Sequence, residues 1–222
     1  EGYDDGLDGF VRFCTEILVV EPWALPSDRK PPDKLGRCDS QLDVARKVLE
    51  NRETWARSGH GVGKTTLAAC LCLWWHAARG WSFITTATTG RQVKKLLWQQ
   101  GIQTLAMGAR RPLPGRYLET EIKVPARPDW FGMGFSTDTP EGAQGPHQDN
   151  LLVVVDEAAG IPGWLWTAIR GWMTRPNNRL LAIGNPSEDR TTQFYLAFHD
   201  EAGVEGRATA WLDSEQAPTV DP

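Results

Sequence analysis

The stretch that decides the fold is Ser58-Gly59-His60-Gly61-Val62-Gly63-Lys64-Thr65-Thr66. It follows the phosphate-loop pattern, a glycine, four residues and then Gly-Lys-Ser/Thr, with Ser58 standing at the first glycine position. Gly59, Gly61 and Gly63 let the backbone turn its N–H groups toward an anion. A helix is predicted over residues 64–79, stopped by Gly80, and its positive end faces the same anion. Residues 54–57 read as a short strand, so the turn has the strand before it and the helix after it that such a loop needs. Residues 58 to 66 then line a nucleotide, with Arg57 just ahead of the turn. Lys64 reaches its β- and γ-phosphates, and the Thr65 hydroxyl ligates Mg²⁺.

Working outward, Leu151-Leu152-Val153-Val154-Val155 is a continuous apolar run, as expected of a strand buried on both faces. It ends in Asp156-Glu157. Carboxylates at the carboxyl end of a parallel strand sit where such sheets bind ligands. Asp156 is the candidate for the Mg²⁺ shell, and Glu157 the candidate to orient and deprotonate an attacking water. A third strand over 179–183 runs into Gly184-Asn185-Pro186-Ser187. Asn185 is placed either to sense the γ-phosphate or the attacking water, or simply to form a turn, since all four of these residue types favour turns.

The remaining elements are helices over 7–20, from 39 or 40 to 51, 91–107, 161–173 and 189–198, and strands over 82–87, 117–124 and 130–137. The strands at 117–124 and 130–137 form a hairpin or an addition to the sheet edge. Four prolines, Pro22, Pro26, Pro31 and Pro32, mark residues 21–37 as an irregular connector. Strands alternating with helices predict an α/β fold with a mostly parallel central sheet and helices on both faces. The expected divisions are an N-terminal helix and connector over 1–38, a nucleotide-hydrolysing domain over 39–212, and a tail or start of a linker over 213–222.

The 222 residues suffice for a sizeable core. A net charge of −4 excludes a uniformly basic nucleic-acid binder. Its distribution is uneven. Residues 186–222 hold 8 acidic and 2 basic residues, whereas residues 91–127 hold 8 basic and 2 acidic ones. The basic stretch is expected to face DNA or a neighbouring subunit. The 4 cysteines, Cys14, Cys38, Cys70 and Cys72, are too few for a disulfide scaffold and lack the spacing of a zinc site, so they read as small buried thiols. The longest apolar run, 67–75, is too short to span a membrane. Tryptophan, at 11 residues, is in excess, and most of these rings are expected in the core.

Taken together, Ser58 to Thr66, Thr85-Thr86-Ala87-Thr88-Thr89 with Arg91-Gln92-Val93, Gln144-Gly145-Pro146-His147, Val155-Asp156-Glu157-Ala158-Ala159 and Ile183-Gly184-Asn185-Pro186-Ser187 resemble the ATPase domain of the phage terminase large subunit, the motor that packages DNA into capsids. The resemblance covers residues 40 to 190. It implies a RecA-like P-loop fold of the additional-strand type, Mg²⁺-dependent ATP hydrolysis and a ring oligomer on the capsid portal. It also implies double-stranded DNA and the small terminase subunit as partners, and the cytoplasm of an infected bacterial host as the place of action. Gln41 is implied to contact adenine. Where many members carry an arginine within the turn, this chain has His60, which cannot replace a permanent guanidinium charge. An arginine from a neighbouring subunit then carries more of the transition-state charge, with Arg127, Arg170, Arg175 and Arg179 as candidates. The family's nuclease domain has no room after Ser187, so this chain is not expected to cut DNA. A helicase-like remodeller and a nucleotide-dependent oligomerisation module with little turnover are the alternatives.

Overall fold

The computed structural model describes residues 2–25, 38–136, 148–199, 204–215 and 217–218. The Gln144 to His147 stretch, most of the proline-rich connector and half of the tail lie outside these. Helix α1 (Gly6–Arg12) continues through π-helical turns over Phe13–Leu18. Helix α2 (Gln41–Glu50) starts at Ser40, where a capping box decides the boundary. The Ser40 hydroxyl accepts from the Asp43 N–H (3.1 Å), and Asp43 Oδ2 accepts from the Ser40 N–H (2.9 Å). Asp39 instead accepts from Lys47 Nζ (2.5 Å) and from the Trp211 N–H (2.9 Å).

Strand β1 (Glu53–Ser58) leads through the glycine turn into α3 (Lys64–Ala77). From Leu67 to His76 every residue of α3 is buried, so this helix is apolar all round and lies within the core. Gly80, at φ +67, ends the segment as its sequence predicts. Strand β2 (Phe83–Thr86) is followed by α4 (Gly90–Gln92), π-helical turns over Val93–Gln103, and α5 (Thr104–Gly108). The predicted helix over 91–107 is thus present, but most of it is wound more widely than an α-helix.

The expected strand over 117–124 is two strands. β3 (Arg116–Tyr117) and β4 (Glu121–Lys123) fold back on each other, with the Leu118 N–H donating to the Glu121 carbonyl (2.7 Å). Strand β5 (Phe131–Gly134) runs antiparallel to β4 and parallel to β2, so this is an edge addition to the sheet. Strand β6 (Leu152–Asp156) is wholly buried, followed by α6 (Gly163–Trp172), β7 (Arg179–Gly184) and α7 (Gln193–His199). An element not expected from the sequence is β8 (Arg207–Leu212), which pairs parallel with β1 along its full length. Its Arg-Ala-Thr-Ala-Trp-Leu sequence carries too few large apolar groups to register as a strand, and its edge position explains why it can.

The sheet order is β3-β4-β5-β2-β6-β7-β1-β8, parallel from β5 to β8. β7 stands between the loop strand β1 and the carboxylate strand β6, which is the additional-strand arrangement. Two cores flank the sheet. One gathers α1, α2, α3 and the π-helical turns around Phe10, Leu71, Trp74 and Trp98. The other gathers α6 and α7 around Trp55, Trp166, Ile169 and Phe194. Truncating a ring such as Trp74 to alanine is worth about 3–5 kcal/mol at such sites.

Candidate nucleotide site

The turn after β1 takes its shape from two glycines in left-handed conformation, Gly61 (φ +75) and Gly63 (φ +76). A Cβ on Gly63 would come within 2.5 Å of Gln41 Nε2, so glycine is required there for conformation and for space. Gln41 is only 5% exposed. Its amide nitrogen donates to the carbonyls of Val62 (3.0 Å) and Gly63 (3.1 Å), and its oxygen accepts from the Trp23 N–H (3.2 Å). Trp23 Nε1 adds a bond to the Val62 carbonyl (3.2 Å). Gln41 and Trp23 therefore brace the loop from behind, and both amide hydrogens of the residue implied to touch adenine are engaged by the loop itself. Ser58, at the first glycine position, donates to the Gly184 carbonyl on β7 (3.5 Å). The loop ends where α3 begins, so Lys64, Thr65 and Thr66 form the first turn of a 14-residue helix whose dipole favours an anion there.

Across the sheet, β6 delivers Asp156, 2% exposed. Burial, reinforced by the neighbouring Glu157 charge, raises its pKa from 3.8 to about 6, against the Glu157 N–H (3.0 Å) and Lys64, which favour its charged form. Glu157 has φ +49, a left-handed conformation uncommon for a residue with a side chain. Its carbonyl accepts from the Gly160 N–H (3.0 Å) and from Thr88 Oγ1 (3.3 Å). Gly184 permits this approach, since a Cβ there would lie 2.9 Å from the Ala158 nitrogen.

Lys64 joins the two halves. Its Nζ donates to Asn185 Oδ1 (2.7 Å) and lies 4.0 Å from Glu157 Oε1. Asn185 Nδ2 in turn lies 3.3 Å from His60 Nε2, which accepts when the amide donates. Residues from four places in the sequence thus meet at the carboxyl ends of β1, β6 and β7. Nothing local in the sequence marks Thr88 or Trp23 for these contacts; that of Thr88 depends on β2 and β6 being neighbours in the sheet.

The other candidates are engaged elsewhere. Arg57 stacks on Phe198, with Cζ 4.4 Å from the ring centre, and so lies on the α7 side of the sheet. Arg170 donates to Gln193 Oε1 (2.5 Å). Arg175 pairs with Asp149 (3.3 Å), and Arg127 with Asp129 (3.6 Å). Arg179 is directed at the carbonyls of Leu49 (3.4 Å), Pro176 (3.1 Å) and Asn178 (3.1 Å). Within the basic stretch, Arg91, Lys95, Arg110, Arg111 and Arg116 are exposed, while Lys94 and Lys123 pair with Glu119 and Glu121. Cys14, Cys70 and Cys72 are buried and Cys38 is half-buried, and none of the four is in a disulfide. Among the described residues no helix is long and apolar enough to cross a membrane.

The chain matches no protein-family model. It is 32% identical over 87 residues to the probable terminase large subunit of Enterobacteria phage P7, a match covering 36% of this chain and 17% of that protein. The chain therefore matches a small part of that relative's length. Its structure is similar to the large terminase ATPase domain of Thermus phage P74-26 (TM-score 0.57, 21% identity, 83% of this chain and 86% of that one). It is also similar to the large terminase of a thermophilic bacteriophage in complex with ADP (TM-score 0.64, 12% identity, 82% of this chain and 46% of that one). The fold is that of the large-terminase ATPase domain, as the sequence resemblance implies.

Proposed function

We propose that this chain hydrolyses ATP with Mg²⁺ and drives double-stranded DNA into a viral capsid, as the motor domain of a terminase large subunit. The observation that carries this reading is the meeting of Lys64, Asn185 and Glu157 across three strands, beside a glycine turn that opens a helix. The N–H groups of residues 59–63 and the α3 terminus hold the phosphates, and Lys64 neutralises the β- and γ-oxygens. The buried Asp156, pressed against Glu157 with Lys64 as the nearest cation, suits a hard divalent ion that supplies the missing positive charge. Asp156 and Thr65 are the residues that would hold Mg²⁺, which stabilises charge on the transferring phosphoryl group. Glu157 orients the attacking water and takes its proton as the oxygen bonds to the γ-phosphorus. The bond to the β–γ bridging oxygen breaks, leaving ADP and phosphate. Asn185 exchanges Lys64 for the γ-phosphate and so reports which state the site is in.

Packaging requires a ring on the portal, with an arginine of a neighbour completing each site and the small terminase subunit presenting DNA, all in the host cytoplasm. The resemblance and the relatives' names support this part. The exposed cations between Arg91 and Arg116 are the surface offered to DNA or to the next subunit. Glu157→Gln in an oligomeric sample with double-stranded DNA tests the reading. Steady-state hydrolysis should drop by at least about 100-fold while ATP binding persists. Unchanged hydrolysis overturns it. Binding and ring formation without phosphate release in any wild-type assembly would point instead to an oligomerisation module.

A further inference from the structure

At the opposite end of the sheet from the glycine turn lies a polar cavity of about 420 Å³. It opens where β2, β6 and β7 begin, and three arginines from three separate segments line it: Arg79 after α3, Arg127 before β5 and Arg175 before β7. Arg79 is the unusual one. Its guanidinium carbon lies 4.0 Å from the ring centre of Trp81, 4.9 Å from Trp74 and 5.2 Å from Trp75. Burial draws its pKa below the ordinary value, with the Asp4 charge opposing and the Arg179 charge assisting, yet among the described residues its side chain has no hydrogen bond and no ion pair within 4 Å. A half-desolvated guanidinium clamped by indole rings is oriented in advance, with its N–H donors unused. Arg127 is stacked in the same way over Trp130, at 5.1 Å. The carboxylates in the cavity hold their arginines loosely, Asp129 at 3.6 Å from Arg127 and Asp149 at 3.3 Å from Arg175, both longer than a charge-assisted hydrogen bond. Both pairs are exposed, and such pairs reorganise at little cost. Among the residues that line the cavity, three cations against two loosely held carboxylates leave room for an anion that several guanidiniums contact at once. A tetrahedral phosphate suits that better than a flat carboxylate, which one arginine satisfies.

We propose that this cavity is a phosphate-binding site, separate from the nucleotide loop, that takes the phosphate group of a nucleic-acid strand or free inorganic phosphate. The proposal does not rest on the ATPase reading, and it assigns a use to four of the tryptophans.

Those tryptophans are also the reporters. The test uses the full chain carrying Lys64→Ala, which silences the nucleotide loop. Its tryptophan fluorescence is titrated with inorganic phosphate and, separately, with a short duplex DNA, against chloride at matched ionic strength. A saturable change is expected. Arg79→Met keeps the packed stem and removes the charge; Arg175→Gln lies on an exposed loop and leaves the core untouched. Each should weaken the response by about tenfold or more, with thermal melting confirming the fold of Arg79→Met. A response to phosphate alone assigns the site to the free ion, and a response to DNA alone assigns it to the backbone. No response to either ligand, or variants that titrate like their parent, overturns the proposal. Should Arg79→Met fail to fold, Arg175→Gln decides.

Discussion

Lys64 Nζ and Asn185 Oδ1 stand 2.7 Å apart, a bond between the first turn of the loop helix and the end of the strand inserted beside it. A phosphate that reaches Lys64 competes with that bond. Asn185→Ala removes the competitor, so ATP should bind at least as tightly as to the wild type. On the proposed function Asn185 follows the γ-phosphate, so turnover should nevertheless fall by about tenfold or more. Equilibrium binding beside steady-state kinetics checks both halves.

Thr88 acts on Glu157 through its backbone and touches no reacting atom. Its hydroxyl is one of two donors to the carbonyl of a residue held at φ +49. Thr88→Val keeps the shape and removes the donor, loosening the strained peptide. The expected outcome is a kcat lower by about three- to tenfold with KM for ATP unchanged, restored by Thr88→Ser. A KM change without a kcat change would show that Thr88 positions something other than Glu157.

Gln41 gives a test of what holds the loop. Removing its side chain cuts two bonds to loop carbonyls, each worth about 1 kcal/mol. Gln41→Ala should lower the melting temperature and raise KM for ATP and GTP alike. A loss confined to ATP would instead identify the adenine contact that the family resemblance implies.

Two buried groups give stability opposite dependences on pH. Burial lowers the His76 pKa from 6.5 to about 4. Its contribution is complete above 6.5 and is lost as pH falls through 4, because the unfolded ring takes its proton first. Asp156, raised from 3.8 to about 6, behaves in reverse: its contribution is complete below 3.8 and lost as pH rises through 6. Each amounts to on the order of 3 kcal/mol. Asp156→Asn should therefore be more stable than wild type at pH 7, with the gain fading toward pH 4. His76→Gln should be less stable at pH 7, with the deficit shrinking between pH 6.5 and 4. Melting temperatures across pH 4–7 for the three proteins check the signs.

Much of this was legible from residues 58–66 and 151–157, because glycine spacing, a helix start and an apolar run ending in carboxylates are local signals. The start of α2 was legible to within one residue, 39 or 40, and the capping box with Asp43 decides for Ser40. What stayed hidden depends on neighbours distant in sequence. β8 exists because β1 offers it an open edge. The turn at 118–120 is fixed by pairing with β5, which no short window of sequence contains. Gln41 reads as an ordinary first-turn residue until Trp23 and the loop are seen on either side of it. Arg57, next to the loop in sequence, faces the other side of the sheet because side chains alternate along a strand.

The insertion of β7 also sets a dimension. Strands β1 and β6 are separated by two inter-strand spacings, about 10 Å, so the glycine turn and the carboxylates of Asp156 and Glu157 face each other across a slot one strand wide. That strand works as a spacer gauge. Any load that tilts or slides β7 changes the slot at the same moment that it moves Asn185, and mechanical strain and chemical readiness are then read on a single part.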